Sequence, residues 1–184
     1  MKLRTGWAVV LLILLIVFAV CFGAYRGWSG ERARVEETYA GLETMMQARV
    51  EAAYNLLAVA GREQYVKTAD EGFLDAVNRV KADKDVLEGS ASLREKAEAN
   101  ENLTVDAQAL LQRLAALPAV QADERDRMYA ESYLPQMMEQ SGEKTAGAQY
   151  NSAAAEFNKK INSTFSGMIA RILGIRPAEE FLRK

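Results

Sequence analysis

Few side chains in this sequence are equipped for chemistry, and their types exclude more than they offer. There is no histidine, and the single cysteine, Cys21, lies inside an apolar run. Neither a Ser-His-Asp or Cys-His nucleophile nor a common zinc constellation can therefore be assembled within one chain. Asp83 and Asp85 resemble an acid pair, but positions two apart leave a helix on different sides. The surrounding "VKADKD" also mixes charges as a solvated face does. Gly27 and Gly30 in "RGWSGER" lack the preceding strand and the lysine of a phosphate-binding loop. No catalytic residue, metal site or cofactor is expected, and the chain reads as a non-enzyme.

The polar residues that ask for a reason are asparagines. In "YNSAAAEFNKKINSTF", residues 150 to 165, the pair Tyr150-Asn151 returns one heptad later as Phe157-Asn158, with Asn162 following. Asparagine competes with the helix for backbone hydrogen bonds, so its repetition on a helix implies a role. Tyr150, Ala154, Phe157, Ile161, Phe165, Met168 and Ile172 fall on one stripe, which leaves Asn151 and Asn158 at the edge of the buried face. A buried amide that must be satisfied favours the helix register that satisfies it. A polar ligand pocket lined by Tyr54, Asn55, Asn151 and Asn158 is the functional alternative.

The elements that would position these residues are helical. Alanine, glutamate, leucine, lysine and arginine dominate, and only three prolines occur. A net charge of -2 with both signs interspersed offers no basic stripe for a nucleic acid. From Trp7 to Tyr25 the chain carries no charge and is long enough to cross a bilayer as a helix, with Trp7, Tyr25 and Trp28 suited to the interfaces. The run is longer than a signal-peptide core and lacks a convincing small-x-small site, because Phe22 spoils the approach to Ala24. Val20 stands where a lipoprotein signal needs a small residue before Cys21. An uncleaved anchor in a bacterial inner membrane is expected, and its short basic N-terminal tail points the soluble part out of the cytoplasm.

Residues 1–30 then form the anchor and juxtamembrane segment, and 31–184 an elongated antiparallel helical bundle. A first bundle helix is read from Val35, Tyr39, Leu42, Met46, Val50, Ala53 and Leu57, fading near Gly61. Phe73, Val77, Val80 and Leu87 mark a second. The third starts at the capping box Ser92 to Glu95 and runs toward Pro118. Asp123 to Glu139 is helical in pattern, with Met128, Leu134 and Met138 as apolar contacts and Pro135 as an interruption. A single last helix spans about Glu143 to Ile172, stopped by Gly174 and Pro177, with Phe181 able to dock back.

The string "YNSAAAEFNKKINSTFSGMIARILGIRPAEEF", residues 150 to 181, resembles the C-terminal signature of the LemA family. "ANENL" at Ala99 to Leu103, which includes Asn100, is similar to that family's central stretch, with Gln108 beyond it. Val35, Tyr39, Arg49, Glu51, Asn55 and Leu56 match positions of its first helix. The resemblance implies a small membrane-anchored helical domain. Departures include Ala48 and Gly147 at usual arginine positions, and Tyr54 and Ser166 where prolines are expected. The stretch 115–143 reads as an insertion before the last helix, one that extends the bundle or forms a separate contact surface.

Two functions fit these features. One is an interaction or scaffold module in the cell envelope, bound to lipid through residues 7–25 and to a protein partner, or to a second copy of itself. The other is a sensory or small-ligand-binding bundle working with a membrane partner. Arg49, Tyr54, Asn55, Asn100, Tyr150, Asn151, Phe157, Asn158 and Asn162 are the residues expected to set register or make contacts.

Overall fold

The computed structural model describes residues 2–142 and 145–181, with side chains from Gly6 onward. All regular structure among them is helical, as the composition implies. Helix α1 runs unbroken from Lys2 to Ala60, so the apolar segment and the first bundle helix form one rod of roughly 88 Å at 1.5 Å per residue. Gly23, Gly27 and Gly30 do not interrupt it. A helical glycine weakens the local preference by about 1 kcal/mol relative to alanine without forcing a break. The apolar side chains from Trp7 to Phe22 are exposed apart from the half-buried Cys21, and α1 is the one helix among the described residues long and apolar enough to cross a membrane.

Past Gly61, the short α2 (Glu63–Val66) leads to α3 (Glu71–Glu88) and α4 (Leu93–Ala116). Asp70 caps α3 by accepting a hydrogen bond from the Phe73 amide at 2.7 Å, and the expected capping box of Ser92 and Glu95 opens α4. The two helices pack on each other and on α1. Phe73, Val80 and Leu87 of α3 and Leu103, Leu110 and Leu114 of α4 are buried with Met46, Ala53 and Leu56 of α1.

The stretch from 117 to 142 lies against the bundle. It folds back as α5 (Pro118–Gln121), α6 (Glu124–Met128), a π-helical turn (Tyr129–Tyr133) and α7 (Leu134–Ser141), and α7 packs on α1 and α4. Val120, Ala130, Leu134 and Met138 are buried, whereas Met128, expected as a contact, is exposed because α6 buries no residue. The interruption expected from Pro135 takes the form of the π turn: the Leu134 amide donates to the Tyr129 carbonyl five residues back. The widened turn relieves the crowding between the proline ring and the carbonyl four residues earlier. Glu143 lies outside the described residues.

The expected single last helix is two. Helix α8 (Thr145–Ser163) runs antiparallel to α1, with Tyr150 against Tyr39 and Phe157 against Trp28 at ring-centroid distances of 5.7 and 5.9 Å. The chain breaks at Thr164, whose hydroxyl accepts from the Gly167 amide at 3.1 Å to cap α9 (Phe165–Ile172). Gly167 passes so close to the Ile161 carbonyl that any Cβ there would overlap it. The stripe therefore divides: Tyr150, Ala154, Phe157 and Ile161 are buried, but Phe165, Met168 and Ile172 are exposed. Trp28, expected at the membrane interface, instead joins the core, donating to Ser166 Oγ at 3.3 Å.

Gly174 ends α9 as expected, at φ +97°. Its amide donates to Arg171 and the Ile175 amide to Ala170, the paired bonds that close a helix through a left-handed residue. A non-helical tail then returns along α8, burying Ile175, Ala178 and Phe181. Phe181 docks against Gly147, where a Cβ would stand 3.5 Å from its ring.

Candidate functional site

The asparagine repeat holds this tail. Asn158 donates from Nδ2 to the Ala178 carbonyl at 2.9 Å and accepts the Ala178 amide on Oδ1 at 2.7 Å. Asn151 repeats the exchange with Phe181, with both bonds at 2.7 Å. Between them the Tyr150 hydroxyl donates to the Glu179 carbonyl at 2.6 Å. Seven helical residues separate the asparagines by roughly 10.5 Å, and three residues of nearly extended chain cover about the same distance. The heptad thus matches a three-residue step in the tail. The amides address the tail backbone, not a facing helix, because both lie at the stripe edge where the tail runs. Burial pushes the Tyr150 hydroxyl above its ordinary pKa, so it stays a donor. Asn162 is further along and exposed, where it accepts from Arg171 Nη1 at 3.0 Å.

A second cluster surrounds Arg49, which is only 2% exposed. Its Nε donates to Asn100 Oδ1 at 3.1 Å, and Nη2 donates to the Asn100 carbonyl at 3.3 Å and to Thr104 Oγ1 at 2.6 Å. Nη1 reaches the Met138 carbonyl at 2.8 Å. One guanidinium thereby joins α1, α4 and the end of α7. Burial lowers its pKa from the ordinary value, but an arginine remains charged in protein interiors. A cavity of about 410 Å³ lies beside it, lined by Thr104, Gln108, Pro135, Met138 and Glu139 as well as Arg49.

Tyr54 and Asn55 are not brought to the asparagines of α8. Tyr54 is exposed and lines a groove of about 490 Å³ between α1, α3 and α4, rimmed by Glu43, Glu51, Lys84, Glu88 and Lys96. Asn55 turns toward α7, with Nδ2 3.7 Å from the Met137 sulfur. The four-residue polar pocket expected of Tyr54, Asn55, Asn151 and Asn158 is therefore not assembled.

Two polar clusters escaped the sequence reading. Asp83 faces Asp106 of α4, not Asp85. Burial, reinforced by that second carboxylate, pushes it up to about 6 despite the nearby Arg79. Arg79 pairs with Asp106 at 3.0 Å, while Asp83 Oδ2 is buried and has no hydrogen-bond partner among the described residues. At the distal end, Asp126 accepts from the Tyr65 hydroxyl, from Arg62 Nη1 at 3.1 Å and from Gln64 Nε2 at 3.2 Å. Helical phase alone could have put Asp83 and Arg79 on one face, but their partners come from another helix.

Chemically, these clusters are occupied in joining elements. Among the described residues no group of three or more His, Cys, Asp or Glu side chains could hold a metal ion. No curated protein and no solved structure matches the chain. The LemA family model matches residues 38–183, from the middle of α1 through the asparagine-held tail, and the chain belongs to the LemA family.

Proposed function

We propose that this protein is a non-enzymatic contact module of the bacterial cell envelope, anchored in the inner membrane by residues 7–25 with its bundle outside the cytoplasm. The observation that carries this reading is α1, in which the apolar segment and the first bundle helix are one continuous helix. Such a connection sets the bundle at a fixed distance from the bilayer, which suits a protein that presents a surface to a partner. The polar groups of the core support it, because Asn151, Asn158 and Arg49 are engaged with the protein's own backbone. The contact surface is the groove at Tyr54, where an exposed aromatic ring sits among charges of both signs.

The same groove favours a second reading, in which a small polar compound binds there and a membrane partner transmits the event. Photo-crosslinking from Glu43 and Gln47 in native membranes separates the two. The contact reading expects a recurrent protein adduct that Tyr54→Glu abolishes. Absence of any protein adduct, with a polar compound raising the melting temperature of the wild type but not of Tyr54→Glu, favours the ligand reading. Carbonate extraction tests the anchor: release of the intact chain as soluble material would refute it.

A further inference from the structure

Among the described residues, nothing covers the apolar face of α9. Phe165 is 72% exposed and Ile172 85%, with Met168 and Leu173 also exposed. Three of these four, Phe165, Met168 and Ile172, follow helical spacing on one outward stripe, while the inward side is made by Gly167 and Ala170. An eight-residue helix presenting such a stripe to water would be unfavourable in a soluble setting.

The position of α9 supplies the occupant. Phe165, Ser166 and Ile169 stand beside Ala19, Val20, Gly23 and Ala24, within the apolar segment of α1. Residues 19 to 25 cover roughly 9 Å of that segment's end, which matches the ~5–10 Å depth at which interfacial helices lie. Toward the bundle the same groove takes in Gly27, Trp28 and Glu31. Arg26 at the end of the segment and Arg171 and Arg176 near the turn are exposed cations, and among the described residues none of the three makes an ion pair. Arg171 bonds Asn162, and the Arg176 carbonyl accepts from Arg32. Beyond Gly174 the chain turns back along α8, with Gly174, Ile175 and Arg176 beside Ser29, Arg32 and Glu36, so the Phe165 end of α9 stands nearest the apolar segment.

We propose that α9 is embedded in the membrane interface beside the span, with its Phe165 end deepest, Phe165, Met168 and Ile172 facing the lipid, and Arg26 and Arg171 within reach of anionic headgroups. This rests on the anchored reading of residues 7–25. The protein then grips the bilayer at two places, a crossing helix and a shallow one, and the break at Thr164 exists to lay the second one down. The asparagine-held tail fixes the return limb and so fixes the depth of α9.

The test uses the full chain with Cys21→Ser and one new cysteine at a time, Leu14→Cys, Met168→Cys, Ile172→Cys or Ala122→Cys, each carrying an environment-sensitive fluorophore. The probes are vesicles of phosphatidylcholine and phosphatidylglycerol with brominated acyl chains, and aqueous iodide. The labels at 14, 168 and 172 should shift to the blue and be quenched by lipid bromine, whereas that at 122 should be quenched only by iodide. Iodide quenching at 168 and 172 with lipid quenching at 14 overturns the proposal and leaves the anchor intact. Iodide quenching at 14 as well overturns the anchored reading itself. Protection of 168 and 172 from both quenchers means that a second copy or another protein covers α9, and also overturns the proposal.

Discussion

Asn158 and Ala178 exchange two hydrogen bonds, the amide side chain of one pairing with the backbone of the other as a neighbouring strand would. Asn158→Leu leaves the Ala178 amide and carbonyl without these partners, a loss of about 1–3 kcal/mol for groups shielded from water. The bundle should remain helical by circular dichroism while the tail loosens. Hydrogen exchange at the Ala178 and Phe181 amides should accelerate, and limited proteolysis should cut after Gly174. Unchanged exchange at both amides would mean that the clamp is not what holds the tail.

Phe157 is buried at the junction of α8 with Trp28. Phe157→Ala should cost about 3–5 kcal/mol through the cavity it leaves. Because the two rings meet edge to face, Trp28 emission should change in the folded state, before any unfolding. Chemical denaturation followed by far-ultraviolet circular dichroism measures the stability loss, and the emission spectrum of the folded protein measures the change at Trp28.

Arg49→Lys keeps the charge and loses the fork that reaches Asn100, Thr104 and Met138 together. An ammonium cannot reproduce that geometry, and the loss should be about 1.5–3 kcal/mol. Arg49→Ala should cost more, since it adds a void at the junction of α1, α4 and α7. Urea midpoints compared at constant slope provide the check.

Asp83 supplies a pH dependence of the less familiar sign. Its folded pKa, about 6, lies above the ordinary 3.8, so the native state holds the proton more tightly than the unfolded chain. Its contribution is greatest below the ordinary value, declines as pH rises through the window to about 6, and is constant above it. Asp83→Asn should remove this part of the slope and raise stability at neutral pH. Melting temperatures of both proteins between pH 4 and 7 would reveal it, and parallel curves would exclude Asp83 as the source.

Gly167→Ala should disrupt the turn between α8 and α9, because its Cβ would overlap the Ile161 carbonyl. The backbone must shift, and α9 should lose its seat against α1. A fluorophore on residue 169 should then become more mobile while helix content falls little. An unaltered label environment would show that the turn relaxes without moving α9.

What was legible in the sequence was what local chemistry decides. The Ser92-Glu95 box, the stop at Gly174 and the disturbance at Pro135 each follow from groups within a few residues of one another. The break at Thr164 was hidden because Phe165, Met168 and Ile172 continue the spacing of the buried stripe across it. Its local marks, a hydroxyl cap and Gly167, also occur inside helices. The asparagines were recognisable as constrained, but their partners lie 20 and 30 residues further along, in a segment without a helical or strand pattern. Arg49 stood out through the family resemblance. Its burial could not be read, because arginine is ordinarily solvated and the carbonyl of Met138 leaves no signature in a side-chain pattern.

The absence of a hinge in α1 turns the protein into a lever. From Tyr25 to Ala60 the helix extends roughly 52 Å, so a 10° change in the tilt of α1 swings its far end by roughly 9 Å. Tilt responds to the thickness of the hydrocarbon layer. With α1 seated in a bilayer, a change in lipid composition is therefore converted into a lateral displacement of the Tyr65-Asp126 cap, far from any lipid.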